Sequence, residues 1–470
     1  MNGVTGTPRA EAAEELGFLS AIELAGKLRR KEVGAEELAR YFIGRIERYD
    51  DKVNAVVVRD FERALAAAKE ADKTLARGRK LGPLHGLPMT IKESYDIAGL
   101  PSSWGVPDAA QEIAQVDSAV VEGFKNAGAV FLGKTNVPYM LGDFQSYNDV
   151  YGTTNNPWDL QRTPGGSSGG SAAALAAGLT GLESGSDIGG SIRNPAHCCG
   201  VYGHKPTWGI VPTLGHEPPG QPQTPQYQED LSVVGPMARS PEDLAVSLDI
   251  LGGPNQFNAA GWRLALPPSR MNSLKGLRVA VWPDDPVAPV DSEFAARVEA
   301  IGNILEKAGA RVSATARPAF DAKAVDDTYL GILNGITSDP AAGFTFYEYE
   351  ALHEQRGFFR AQWQQFFRDW DVLVTPTTAT PAFKQDQSDI NARTLTVNGS
   401  VQPYFQQMFW AGLATLCYLP STVFPTGPSS SGLPIGLQAI GAEFDDRTTI
   451  EFARLMAREI GGYQPPGGYA

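Results

Sequence analysis

Apolar residues recur at helical spacing along the first part of the chain. "SAIELAGKLRR" (20–30) and "GAEELARYFIGRIERY" (34–49) repeat them every three or four positions, and "FERALAAAKEADKTLARG" (61–78) ends on a glycine stop. Residues 1–80 are therefore predicted to be largely helical. The pattern then changes: "LHGLPMTIKESYDIAGL" (84–100) reads as a short extended stretch with turns. "DSAVVEGFKNAGAVFLGKTN" (117–136) predicts a helix, a glycine turn and a buried strand. Further on, "LRVAVW" (277–282), the helical "DSEFAARVEAIGNILEKAGA" (291–310) and "RVSATA" (311–316) form one βαβ unit. A long helix up to Trp370 precedes "DVLVTPT", and "YFQQMFWAGLATL" and "LPIGLQAIG" supply a further helix and strand before a closing helix from about Thr448. Helices alternating with short apolar strands predict an α/β fold.

Neither an internal repeat nor a sharp break in composition marks a boundary, so residues 1–470 are expected to form a single domain. One stretch stands out as irregular, "LGHEPPGQPQTPQYQED" (214–230), either a surface excursion or a lid over a cleft. The apolar fraction of 42% is that of a globular protein, and a formal net charge of -13 argues against nucleic acid or an anionic membrane as partner. Cys198, Cys199 and Cys417 show no metal-binding spacing and read as free thiols of a reducing compartment. The first residues lack the apolar core of a signal peptide, and no run approaches the roughly 20 apolar residues of a membrane span. A cytoplasmic protein is expected.

Candidate chemistry concentrates in two glycine-flanked serine segments. "TPGGSSGGSAAALAAG" (163–178) holds Ser167 and Ser168, and "SGSDIGGSIR" (184–193) holds Ser191. Glycines beside a serine let a nucleophile and backbone N–H groups face a substrate without Cβ clashes. "GGSSG" also fits a nucleophile elbow, but His197, His204, His216 and His353 offer no persuasive base. "GSDIGGS" lacks the lysine of a phosphate loop. Lys92 is the better base: it follows an apolar Met-Thr-Ile run, and burial there would lower its pKa and leave a neutral amine. Asp187 and Arg193, flanking the second segment, read as an ion pair bracing the loop rather than as substrate contacts.

These segments, with "GPLHGLPMTIKES", "GKTNVPYM", "YGTTNNPWD", "GPMARSPEDLA", "DVLVTPT" and "GLPIGLQAIG" in the same order, resemble the amidase signature family, to which fatty acid amide hydrolase and the glutamine amidotransferase A subunit belong. The resemblance implies a central mixed, twisted β-sheet covered by helices on both faces. It also implies a catalytic set in which Lys92 is the base, Ser167 the serine of a cis peptide and Ser191 the nucleophile. Ser168 becomes a supporting serine, and the N–H groups of Ile188, Gly189, Gly190 and Ser191 become the oxyanion hole. No cofactor or metal is implied. The segment "PYMLGDFQSYND" corresponds to one lining the acyl pocket, which makes Met140, Leu141, Gly142 and Asp143 candidate substrate contacts. Two departures from the family pattern stand out: Glu93 after the lysine, where aspartate is commoner, and His204 before Lys205, where an apolar residue is usual.

The expected reaction is hydrolysis of an acyl C–N bond through an acyl-serine, on a small-molecule amide, anilide or carbamate (urethane), with esterase activity beside it. Two alternatives stay open: the glutamine-hydrolysing component of a tRNA-dependent amidotransferase, its A subunit, and a non-catalytic binding scaffold. Oligomeric state is not legible from the sequence.

Overall fold

A computed structural model of the chain describes residues 15–221, 228–337 and 343–469. Strands β1 (Val56–Arg59), β2 (Pro88–Lys92) and β3 (Val130–Thr135) form a small sheet in the order β1-β3-β2, with β3 parallel to β2 and antiparallel to β1. A two-stranded ribbon, β4 (Tyr147–Asn148) and β5 (Gly152–Thr153), follows. The remaining strands are β6 (Glu183–Asp187), β7 (Tyr202–Lys205), β8 (Val233–Ala238), β9 (Arg278–Val281), β10 (Arg311–Ser313), β11 (Val372–Pro376), β12 (Thr394–Val397), β13 (Ser400–Pro403), β14 (Ser421–Pro428) and β15 (Pro434–Ile440). All but the β12–β13 ribbon join one eight-stranded mixed sheet, ordered β10-β9-β11-β15-β14-β7-β8-β6. Twelve α-helices flank these sheets among the described residues.

Sequence and architecture agree where the hydrophobic period is long. The amphipathic helices are Ala21–Arg29, Ala35–Val53 and Phe61–Ala76. The βαβ unit is β9, the helix Ser292–Lys307 and the parallel strand β10. The helical first segment needs a correction, since β1 interrupts it at Val56–Arg59, where three consecutive valines favour a strand. Residues 1–14 lie outside the described residues, as do 222–227 of the irregular loop. The preceding part of that loop is well anchored: His216 packs between Tyr95 and Trp104, with ring centroids 5.0 Å from each, and bonds Ser94 Oγ at 3.0 Å. Among the described residues, no helix is long and apolar enough to cross a membrane.

Two features of this architecture create a site. β2 packs beside β6 although the two belong to different sheets, so both strands deliver their C-terminal ends to one place. The helices Gly169–Ala176 and Arg193–Cys199 also pack together, each entered from one of the glycine-flanked serine segments. Every residue of the first helix is buried, and small side chains make that tolerable. A Cβ on Gly170 would lie 2.3 Å from the Asn136 backbone nitrogen.

Candidate active site

Lys92 closes β2 and is fully buried. Its Nζ lies 2.7 Å from Ser167 Oγ and 2.9 Å from the hydroxyl of Ser186 on β6. Burial removes water from the ammonium and lowers the lysine pKa to about 7, against the opposing pull of the Asp187 and Glu183 carboxylates. Glu183 is buried too, which pushes its carboxyl up to about 8 although it accepts hydrogen bonds from Thr90 Oγ1 and the Ser184 N–H. Of the two carboxylates that pull on the lysine, Glu183 is thus biased toward its neutral form and Asp187 is already paired with Arg193.

Ser167 follows Gly166 across a cis peptide bond. The backbone is crowded there: a Cβ on Gly166 would lie 2.3 Å from the Asp143 carbonyl oxygen and 2.8 Å from the Gln145 nitrogen. Ser168 precedes the buried helix and donates its N–H to the Ser191 carbonyl at 3.1 Å, which joins the two serine segments. Its hydroxyl accepts from the Ser186 N–H at 3.4 Å. Ser191 is 7% exposed, whereas Lys92 and Ser168 are at 0% and Ser167 at 1%. The structure thus brings Lys92 and Ser167 into direct contact and sets Ser191 beside Ser168. It does not hydrogen-bond the Ser167 and Ser191 hydroxyls, a contact that in ligand-free sites often tightens only when substrate binds.

The loop before Ser191 is held by Asp187. Its carboxylate accepts from the N–H groups of Gly190 (2.9 Å) and Ile192 (3.1 Å) and pairs with the Arg193 guanidinium at 2.8 Å, both side chains fully buried. Burial alone would raise the Asp187 pKa, yet Arg193 keeps it below the ordinary carboxylate value. Arg193 is saturated further by Ala411 O, Gln438 Oε1 and Thr415 Oγ1. This corrects one expectation. The Gly190 N–H is committed to Asp187, so the oxyanion donors left as candidates are Ile188, Gly189 and Ser191. Arg193→Ala strands a buried carboxylate, and a loss of about 3–5 kcal/mol in unfolding free energy is expected from urea denaturation curves.

The candidate substrate segment divides. Met140 and Gly142 are exposed, and Met140 and Leu141 both take positive φ (49° and 58°). Asp143 is instead buried, with its carboxylate occupied by Arg393 at 2.5 Å and the Tyr404 hydroxyl at 2.6 Å. It holds structure together and is withdrawn as a side-chain substrate contact. Other groups face the serine loop: a Cβ on Gly189 would lie 3.0 Å from Met408 Cε, and one on Gly190 3.1 Å from Ala411 Cβ and 3.9 Å from Phe144 Cε1. Tyr329 donates its hydroxyl to the Ile188 carbonyl at 2.9 Å. Sequence reasoning missed Ser186, Met408 and Tyr329, because each meets the site only through strand or helix pairing and carries no local signal.

The departures from the family pattern are absorbed structurally. Glu93 is buried and accepts from the Ser103 and Trp104 N–H groups and the Tyr151 hydroxyl. His204 lies buried between Thr422 Oγ1 (2.9 Å) and Asp446 Oδ1 (3.1 Å), and all three cysteines are buried and free. A cavity of about 760 Å³ opens elsewhere, beside Arg162, Phe383, Lys384, Arg393 and Tyr404. It includes none of Lys92, Ser167 and Ser191. The lysine–serine cluster remains the candidate site because it pairs hydroxyls with a buried amine, which the cavity does not.

Residues 37–339 and 332–450 match the Amidase family. The A subunit of the glutamyl-tRNA(Gln) amidotransferase from Carboxydothermus hydrogenoformans is 31% identical, covering 94% of this chain and 97% of the relative. An indoleacetamide hydrolase from Bradyrhizobium diazoefficiens is also 31% identical, over 94% of this chain and 86% of that protein. The crystal structure of a bacterial aryl acylamidase of the amidase signature enzymes superposes with a TM-score of 0.82 at 23% identity, over 95% of this chain and 97% of that one, a likeness of fold. With a match across most of its length and relatives of its own size, the chain belongs to the amidase signature family and is a hydrolase of carbon–nitrogen bonds.

Proposed function

We propose that the protein hydrolyses the acyl C–N bond of an aryl or alkyl amide, with Ser191 as nucleophile, Ser167 as proton relay and Lys92 as base. The observation that carries this reading is the 2.7 Å contact between Lys92 Nζ and Ser167 Oγ at full burial, with the amine pKa near 7. A neutral amine accepts the Ser167 proton, Ser167 takes that of Ser191, and the Ser191 oxygen attacks the carbonyl. The oxyanion meets the N–H groups of Ile188, Gly189 and Ser191, where one such donor typically contributes about 2.7–4 kcal/mol. The relay runs back to protonate the departing amine, and water releases the acyl group.

The wall around the serine loop supports this substrate class. Met408, Ala411 and Phe144 approach it, and Phe144 packs with Phe405 at a centroid distance of 6.0 Å. That apolar, aromatic surface favours an aryl or alkyl acyl group over a zwitterion. The indoleacetamide hydrolase among the relatives supports the same reading, since its name states an arylalkyl amide. Carbamates and esters fit the chemistry, as their cleavage passes through a similar oxyanion.

A second reading has its own support. The relative from the glutamyl-tRNA(Gln) amidotransferase matches 94% of the chain, so glutamine hydrolysis for a partner protein is the competing function. Purified protein assayed separately with 4-nitroacetanilide, a nitrophenyl carbamate and glutamine discriminates the two. Release of nitroaniline or nitrophenol by the protein alone, with no ammonia from glutamine, is expected. Glutamine turnover with no aryl amide cleavage would reverse the assignment.

A further inference from the structure

Asp143, withdrawn above as a substrate contact, raises a question. A buried carboxylate beside an active site carries a cost that its neighbours must offset. Its partners all come from one segment about 250 residues downstream. Arg393 pairs with Asp143 Oδ2 at 2.5 Å, and the Tyr404 hydroxyl donates to Oδ1 at 2.6 Å. Two residues along, Gln145 and Asp386 exchange reciprocal bonds: Gln145 Nε2 to the Asp386 carbonyl at 2.6 Å, and the Asp386 N–H to Gln145 Oε1 at 2.8 Å. Between them Phe144 packs against Tyr404 and Phe405, with both centroids at 6.0 Å. Arg393 is itself fixed, donating to the Ser388 carbonyl and the Tyr147 hydroxyl.

Residues 143–145 are thus gripped from one side by segment 386–405. On their other side they touch the backbone carrying Ser167. The Asp143 carbonyl and the Gln145 backbone occupy the space where a Gly166 side chain would be, and no slack separates them. Movement of residues 143–145 must move the Gly166–Ser167 peptide, and with it the hydroxyl bonded to Lys92.

We infer that Arg393 and Tyr404 are positioning residues for the proton relay, holding Ser167 in register with Lys92 by clamping Asp143 through its carboxylate. Neither touches the reacting atoms. The inference rests on the Ser191–Ser167–Lys92 reading and deepens it. It differs from a purely stabilising role, which would lower the melting temperature and leave each folded molecule as reactive as before.

The test measures the rate at which a fluorophosphonate labels Ser191, read by mass spectrometry well below the melting temperature of each protein. Tyr404→Phe is the main variant, since it keeps the ring against Phe144 and removes one bond to Asp143. Arg393→Lys keeps the charge and loses the planar fork. Both are expected to be labelled about tenfold or more slowly than the unaltered protein, because small misplacements of reacting groups are costly. Turnover number should fall in parallel, with KM for a small anilide changed by less than about twofold. Labelling of Tyr404→Phe at the unaltered rate would overturn the inference, whatever happens to its melting temperature. An unaltered protein that is not labelled at Ser191 would overturn the reaction assignment instead, so the two failures are distinguishable.

Discussion

Ser191→Ala is expected to abolish amide hydrolysis, with turnover falling by about 10⁴-fold or more, as happens when an attacking hydroxyl is removed from a concerted set. The fold should survive. The Ser191 hydroxyl is not hydrogen-bonded to Ser167, and the Ser168 N–H bond to residue 191 uses a backbone carbonyl that alanine also supplies. Equal melting curves and loss of fluorophosphonate labelling would together identify the lesion as chemical. Retention of more than a few per cent of activity would remove Ser191 from the nucleophile's role and return the competing hydroxyls to consideration.

The second large effect concerns the base. Activity is expected to rise with pH through about 7 and then level off, because only the uncharged Lys92 amine takes a proton and burial sets its pKa there. Below that value each unit of acidification should lower kcat/KM about tenfold, as the protonated fraction grows. Lys92→Ala should cost about 10²–10⁴-fold and erase this limb from the profile. A pH–rate curve that is flat between 5 and 9, or that Lys92→Ala leaves unchanged, would count against lysine as the base.

How much of this was legible beforehand depends on what kind of interaction made it. Strand β2 announced itself as an apolar run, and Lys92 at its end was conspicuous because a charge is unusual there. The serine segments carried their glycines openly, for Gly166 and Gly170 sit where any Cβ would collide with backbone. The through-space pairings were not legible. Ser186 looks like any polar residue in a strand until β2 is packed beside β6. Arg393 and Asp143 lie far apart in sequence and meet only in the fold, so Asp143 was read with its neighbours as a pocket residue when its carboxylate was already taken. Gly190 was misread for a similar reason, since the same loop that offers N–H groups to a substrate must spend one on Asp187. His204 and Glu93, odd by pattern, turned out to be satisfied by partners that no spacing rule names.

The crowding around Gly166 and Gly170 has a consequence for anyone wishing to retune this enzyme. Mutational libraries aimed at the serine-bearing turn or its alanine-rich helix will return mostly inactive clones, because a side chain added at either glycine meets main chain and the helix is buried along its whole length. Diversity is better introduced at Met408, which approaches Gly189 from the other side, where a change of bulk reshapes the space beside the serine loop without touching the residues that hold Asp143.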